Sequence, residues 1–305
     1  MVGYENLYYN IKIIKYSNSN KVKIRFKYNQ KMISVILTAY NRKEYLKNAL
    51  DSLKRQTIKN FEIILITNFD FPLYNFGELN IKHIVMDGNI GKFLYEGVKN
   101  SSGDVLVLMD DDDTFSENKL KYVDNTFKDK KIGYLHNFSI LNNSKKRLFL
   151  PPDFNSSSIS IRKDIILPYI DHLNRLETGP DSFLYLCALC SGYKILNRRV
   201  YLTYYNVHSG NTSNINFNKA WLLKDLDALK YMQSIFSCKK SRNYLDKLIL
   251  GINIKLYIFY NEKIIPRKNG TFLISLELWL YFLYAYGILD KKLKLILKKF
   301  IMQIW

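Results

Sequence analysis

The sequence contains few cysteines for its 305 residues. It has three, Cys187, Cys190 and Cys238, an odd number that does not show the spacing of a disulfide framework. We therefore expect no such framework and infer a reducing, cytoplasmic setting. Cys187 and Cys190 form a C-x-x-C pair inside an apolar helical pattern, which favours packing in a buried helix over a redox or metal-binding role. Residues 1–10 have no cationic stretch followed by an apolar run, so a signal peptide is not expected.

Acidic residues are also in deficit, because 27 Asp and Glu residues face 46 Lys and Arg residues, giving a formal net charge of +19. A field of this sign attracts polyanions such as nucleic acid, anionic lipid headgroups or phosphorylated small molecules. A Lys-rich composition inherited from the source organism is the alternative explanation. Hydrophobic residues make up 48% of the chain, which argues against a disordered protein.

A long uninterrupted apolar run is missing near the C-terminus, where the stretch 272–289 is broken by Glu277. An acid at this place argues against a membrane-spanning helix. The following stretch, 289–305, places apolar residues on one helical face and lysines on the other. This pattern predicts in-plane binding to an anionic membrane surface, and the alternative is that the apolar face packs on the rest of the chain or on a second subunit.

Apolar strands alternate with helical patterns in the first part of the chain. Residues 1–31 alternate basic and apolar side chains and are interpreted as a basic N-terminal extension. The predicted strands that follow are 33–37, 61–66, 81–86 and 105–109, with helices after residue 42 and around 92–99. This order predicts an α/β fold with a mostly parallel, covered sheet. Ligands of such sheets bind at the carboxyl ends of the strands.

Four adjacent aspartates, Asp110 to Asp113, follow the strand predicted at 105–109. Carboxylates at this spacing repel one another unless a cation lies among them. Oxygen ligands suit Mg²⁺ or Mn²⁺, which retain positions for water and substrate phosphates. The alternative is a solvated acidic turn that caps the helix predicted to begin near Glu117.

Several segments in the same order resemble glycosyltransferase family 2, whose members are inverting enzymes of the GT-A type. They are a T-x-Y-N-R turn at 38–42, an N-x-G helix start at 89–91, the aspartate run, an acidic helix start at 179–183 and a Y-x-x-H-x-x-N-x-S segment at 205–213. The resemblance implies a Rossmann-like GT-A catalytic domain over residues 32–215. A helical C-terminal region would occupy residues 216–305.

The resemblance also implies the reaction and the residues that perform it. A sugar would pass from a nucleotide diphosphate donor to an acceptor hydroxyl with Mg²⁺ or Mn²⁺. Asp112 and His208 would form the metal site, and Asp181 would be the general base, with Glu177 in reserve. Implied donor-binding residues are Thr38, Tyr40, Asn41, Arg42, Asn68, Lys92, Asp110 and Asp111. Structural alternatives are a helix cap for Asp181, a surface role for Lys92 and a loop hydrogen bond for His208.

The sequence departs from the family pattern at two places. Pro180 replaces the acidic residue that usually precedes the base. After the second strand, Thr67 and Asn68 replace the carboxylates of which the first usually holds the nucleobase, so the bound base stays open, although either side chain can hydrogen-bond a base edge.

Two other classes of protein stay open. A nucleotidyltransferase would share the sheet and the metal chemistry, but it usually has a glycine-rich basic loop after the first strand, and this turn has no glycine and one arginine. A non-enzymatic polyanion-binding protein would not need the aspartate run. For the transferase we expect a nucleotide-sugar donor, a glycan or lipid-linked acceptor, contact with an anionic membrane surface, and no nucleic acid.

Overall fold

The computed structural model describes residues 33–142, 144–148, 151–208, 218–260 and 262. The predictions for residues 1–31 and 272–305 therefore lie outside the described residues. The strands are β1 Ile33–Ala39, β2 Phe61–Thr67, β3 Ile81–Val85, β4 Val105–Asp110, β5 Thr114–Phe115, β6 Ile132–Leu141, β7 Arg147–Leu148, β8 Ile159–Arg162 and β9 Lys194–Tyr205. The helices are α1 Lys43–Lys54, α2 Ile90–Asn100, α3 Lys119–Phe127, α4 Lys163–Ile166, α5 Ile170–Leu173, α6 Pro180–Cys190, α7 Lys219–Ile235 and α8 Lys239–Tyr260.

The strands form one mixed sheet in the order β3-β2-β1-β4-β8-β6-β9-β5, with β7 also paired to β6. Strands β3, β2, β1 and β4 are mutually parallel, as the alternation of strands and helices predicted. From β8 onward the pairing is antiparallel except for the parallel pair β6 and β9. The α/β class is confirmed, and the sheet is parallel mainly in its first half.

Helices cover the sheet on both faces, which explains why its central strands are continuously apolar. Along β1, Val35 and Leu37 pack into a core with α1 and α3, whereas Ile36 between them packs on the opposite face. That opposite core includes residues of α2, α4, α5, α6, α7 and α8. Because successive side chains of a strand point to opposite faces, a strand covered on both sides must be apolar at every position.

The expectation that the cysteines form no disulfide is wrong. Cys190 at the end of α6 is bonded to Cys238, which lies just before α8, and their Cα atoms are 5.9 Å apart. The two cysteines are 48 residues apart in sequence, and they meet because α6 packs against α8. Cys187 is a free, fully buried thiol in the core, as the apolar helical pattern predicted.

Helices α7 and α8 follow the sheet, in agreement with the helical region predicted after residue 215. They pack against each other, and α8 also contacts α6. Among the described residues, no helix combines the length and the apolarity required to cross a bilayer.

Candidate active site

The parallel strands β1, β2 and β4 end at one edge of the sheet, and the predicted site residues lie there. Thr38 is in register with Asp110 on β4, and Ala39 is in register with Thr67 on β2. Just beyond these strands, the Asn41 backbone N–H donates to Asn68 Oδ1 at 2.9 Å, and Asn68 Nδ2 donates to Asn41 Oδ1 at 2.6 Å. Asn41 has φ of 59°, a left-handed conformation that asparagine tolerates. This amide pair joins the loops that follow β1 and β2.

Three of the four aspartates converge at the end of β4. Asp110, Asp112 and Asp113 each offer a carboxylate oxygen within 4.8 Å of the others. Asp113 is fully buried, and its Oδ1 accepts the Asn206 N–H at 3.1 Å. Its Oδ2 is buried with no hydrogen-bond partner among the described residues. Burial raises the pKa of Asp113 to about 7, so the ionised form needs a compensating positive charge. We call Asp110, Asp112 and Asp113 the acidic cluster.

Asp111 points instead to Arg42, which follows β1. Arg42 donates from Nε to Asp111 Oδ2 at 3.1 Å and from Nη2 to Asp111 Oδ1, and its Nη1 donates to Asp112 Oδ2 at 2.8 Å. Burial raises the pKa of Asp111 to about 7 in spite of the neighbouring guanidinium. Arg42 therefore neutralises part of the negative charge and fixes the loop after β1 against the loop after β4.

His208 reaches the same carboxylate from the segment after β9. Its Nε2 lies 2.9 Å from Asp112 Oδ2, and its ring stacks on Tyr45 of α1 with centroids 4.6 Å apart. Asp112 Oδ2 is thus contacted by both Arg42 and His208. His208 therefore borders the acidic cluster, although it lies 96 residues after Asp112 in sequence. The stacking on Tyr45 helps to hold the imidazole in place.

Asp181 lies in the first turn of α6, one residue after the Pro180 that begins the helix. Its Oδ1 accepts a hydrogen bond from Ser156 Oγ at 2.5 Å. Burial raises the pKa of Asp181 to about 6, and repulsion from Asp153 adds to this, while the Ser156 hydroxyl and the backbone N–H groups of Asn155 and Ser156 oppose it. The helix cap is Gly179 in a left-handed conformation, so Asp181 does not serve as the cap.

Asp181 and the acidic cluster interact electrostatically. Burial raises the pKa of Asp110 well above its usual range, and repulsion from Asp112, Asp113 and Asp181 raises it further. A candidate base with its pKa near 6 therefore borders a group of carboxylates suited to a divalent cation.

The sequence of the chain matches a known protein family. Residues 34–190 match the model described as glycosyl transferase family 2, which is just over half of the chain. The chain belongs to glycosyl transferase family 2. The family assignment confirms the resemblance carried by the sequence motifs, and it favours sugar transfer over nucleotidyl transfer.

Curated relatives of the chain are named as glycosyltransferases. It is 36% identical over 90 residues to the uncharacterized glycosyltransferase YwdF of Bacillus subtilis, covering 28% of this chain and 34% of that protein. It is 33% identical over 98 residues to an uncharacterized glycosyltransferase of Haemophilus influenzae, covering 30% of this chain and 33% of that protein. The chain thus matches about a third of the length of these curated relatives.

Solved structures share the fold at low sequence identity. The S. aureus TarS 1–349 structure in complex with UDP-GlcNAc has a TM-score of 0.59 and 15% identity, covering 82% of this chain and 80% of that chain. The mannosyltransferase PcManGT from Pyrobaculum calidifontis, in complex with GDP-Man and Mn²⁺, has a TM-score of 0.53 and 12% identity, covering 88% of this chain and 85% of that one. These similarities confirm the GT-A fold class.

The other predicted donor residues of the family-2 domain lie around the same edge. Tyr40 is 48% exposed, and its ring lies 5.9 Å from that of Phe93 on α2. Lys92 is exposed in the first turn of α2, where its backbone N–H donates to Asn89 Oδ1 at 2.9 Å. The reserve base Glu177 is exposed and forms an ion pair with Lys224 at 3.0 Å.

Sequence reasoning missed three contributors to the site. Asp113 was part of the aspartate run but received no role, although it belongs to the acidic cluster. Ser156 and Ser157 contact Asp181 and the Asp110 backbone, respectively. The serines follow no motif that marks a site, and only the antiparallel pairing of β8 with β4 brings them to this edge.

Proposed function

We propose that the protein is a metal-dependent inverting glycosyltransferase that moves a sugar from a nucleotide diphosphate donor to an acceptor hydroxyl. The observation that carries this proposal is the convergence of Asp110, Asp112 and Asp113 at the carboxyl edge of the sheet, beside Asp181. Family membership supports the transfer chemistry, and the fold is shared with proteins whose structures contain UDP-GlcNAc or GDP-Man.

The residues of the acidic cluster fit Mg²⁺ or Mn²⁺. Their donors are oxygens, and the buried Asp113 Oδ2 has no hydrogen-bond partner among the described residues, so a cation would meet an unsatisfied charge. We assign the metal to Asp110, Asp112 and Asp113, with His208 at the border of the site. When bound, the cation would stabilise the negative charge that develops on the leaving diphosphate.

Asp181 would accept the proton of the attacking hydroxyl. A base needs a pKa close to the working pH, and burial together with Asp153 brings the pKa of Asp181 to about 6. A single displacement with one such base inverts the configuration at the anomeric carbon.

The donor would lie over the ends of β1 and β2. We propose that Thr38, Tyr40, Asn41 and Asn68 line the nucleoside side, because they flank the joined loops after these strands. Lys92 extends from the first turn of α2, and Arg42 adds positive charge beside the acidic cluster. An anionic diphosphate would be attracted to both cations.

The experiment tests metal and donor together. Purified protein is screened with UDP-, GDP- and dTDP-sugars, with Mn²⁺, Mg²⁺ or EDTA, for thermal stabilisation and donor hydrolysis. We expect one nucleotide class to give a metal-dependent signal in both assays.

Asp112→Asn is expected to abolish that signal with the fold intact, because a neutral amide is a poor ligand in a phosphate–metal site. Asp104→Asn is the matched control, since Asp104 is exposed at the opposite end of β4. Donor turnover that persists in EDTA and in Asp112→Asn would contradict the metal assignment.

A further inference from the structure

The turn at residues 155–158, which we call the serine turn, touches both halves of the candidate active site. Ser156 Oγ donates to Asp181 Oδ1 at 2.5 Å. The next residue, Ser157, accepts the Asp110 backbone N–H on its Oγ at 2.9 Å. Two consecutive serines thus connect the candidate base with the acidic cluster.

The serine turn is held from behind by buried groups. The Ser157 carbonyl accepts hydrogen bonds from Lys119 Nζ and from Thr203 Oγ1, the latter at 2.9 Å. Lys119 is fully buried on α3, and Thr203 lies on β9. Asn155 has φ of 69°, and its Oδ1 accepts the Ser157 N–H at 3.0 Å. These bonds from separate elements hold a backbone conformation that a non-glycine residue adopts at a cost.

Among the described residues, Asp181 forms no ion pair, and two neighbouring acids repel its carboxylate. Asp153 lies near Asp181, and repulsion between Asp181 and Asp110 is also present. The short bond from Ser156 is the one side-chain hydrogen bond found to Asp181 among the described residues. Its removal would leave the backbone N–H groups of Asn155 and Ser156 as the hydrogen-bond donors to Asp181 among the described residues. The carboxylate would then turn more readily away from these acids, because its terminal bond has a broad torsional preference.

We propose that Ser156 is a positioning residue that fixes the Asp181 carboxylate relative to the acidic cluster through the serine turn. The inference rests on the proposed function of Asp181 as the base. Ser156 acts through Asp181, and its contribution is orientation, which matters because a displacement of about 1 Å can lower a rate by about 10²-fold.

The test compares Ser156→Ala, Ser156→Thr and the control Ser158→Ala. Ser158 belongs to the same turn, but its hydroxyl pairs with Ser139 Oγ at 2.9 Å and with neither acid. Metal-dependent hydrolysis of the donor found in the nucleotide-sugar screen supplies kcat and KM. Ser156→Ala should lower kcat by about tenfold or more with the donor KM nearly unchanged, whereas Ser156→Thr, which keeps the hydroxyl, should recover most of the rate.

A merely structural role would give a different result. An unchanged kcat in Ser156→Ala, an equal loss in Ser158→Ala, or a threonine variant as slow as the alanine variant would each overturn the inference. Wild-type protein that hydrolyses no nucleotide sugar in the presence of metal would instead reject the proposed function itself. The two failures are therefore separated by the wild-type measurement.

Discussion

At the scale of single residues, burial gives similar carboxylates different properties. Asp111 and Asp113 are buried, and the pKa of each is raised to about 7, but Asp111 is paired with Arg42 whereas Asp113 has an unsatisfied oxygen. Asp181 has its pKa raised to about 6 and receives a hydroxyl donor. Environment thus assigns one acid to an ion pair, one to a candidate cation and one to candidate proton transfer.

The pH dependence of turnover should report Asp181. A base works in its ionised form. At saturating metal the rate should therefore increase as the pH rises through about 6, and it should decrease as the pH is lowered below about 6. The charged or titratable groups that act on Asp181 and its neighbourhood include Asp153, Asp110 and Tyr134. The measurement is kcat/KM for the donor across pH.

Asp181→Asn should remove this limb and lower kcat by about 10²-fold or more, with donor affinity nearly unchanged. Glu177→Gln is the matched control, because Glu177 lies in an exposed ion pair with Lys224. Collapse of donor binding in Asp181→Asn would place Asp181 in the donor site, and a larger loss in Glu177→Gln would move the base there.

At the scale of elements, α2 packs closely against the end of α5 and the segment that precedes α6, the helix that carries Asp181. A Cβ at Gly91 would lie 2.0 Å from the Leu173 carbonyl oxygen and 2.5 Å from that of Leu176. The Gly91 N–H also donates to the Leu176 carbonyl at 3.1 Å. The glycine of the N-x-G segment therefore has a packing role that the motif alone does not state.

Gly91→Ala should lower the free energy of unfolding by about 1–3 kcal/mol, because backbone carbonyls cannot move aside as a side chain can. It should also reduce donor turnover through the segment that precedes α6. Gly251→Ala in α8 is the control, since nothing lies within 4 Å of its added Cβ, and it should stabilise by about 0.5–1 kcal/mol. Urea denaturation measures both variants, and equal stability of Gly91→Ala and wild type would refute the contact.

The disulfide fastens α6, which carries Asp181, to the segment before α8. Thiol titration in denaturant without reductant should detect one thiol, from Cys187, and three after reduction. Cys187→Ala should then give none before reduction. Cys238→Ser should lower the free energy of unfolding by about 2–4 kcal/mol under oxidising conditions. Three reactive thiols in the unreduced protein would contradict the bond.

At the scale of the whole molecule, the net charge of +19 and the C-terminal pattern bear on location. We propose that the stretch 289–305 binds anionic membrane surfaces, which would suit a lipid-linked acceptor; its residues lie outside those the structure describes. Full-length protein should co-sediment with anionic vesicles and lose binding as salt rises, and a chain ending near Gly270 should bind less. Equal sedimentation of both proteins, or of neither, would reject the membrane role.

The parallel half of the sheet follows from local patterns. Runs such as 33–37 and 105–109 must be buried on both faces, and the helical stripe of Leu46, Leu50 and Leu53 must pack against them. Because helical patterns alternate with these strands, a parallel and covered arrangement could be predicted, and the aspartate run was then expected at the carboxyl edge. Family membership followed from the order of the motifs.

Tertiary structure decided the properties that depend on distant neighbours. In the sequence, Asp111 and Asp113 are alike. In the folded chain, the loop after β1 brings Arg42 to Asp111, and the segment after β9 brings Asn206 to Asp113. Likewise, the sequence does not indicate the partners of Ser156 and Cys238. These partners come close only in the folded chain, where β8 runs antiparallel to β4 and α6 packs on α8. Alternation of apolar and polar residues is a local property that can be read along the chain, whereas the pKa of a buried acid and the pairing of a thiol depend on contacts made across it.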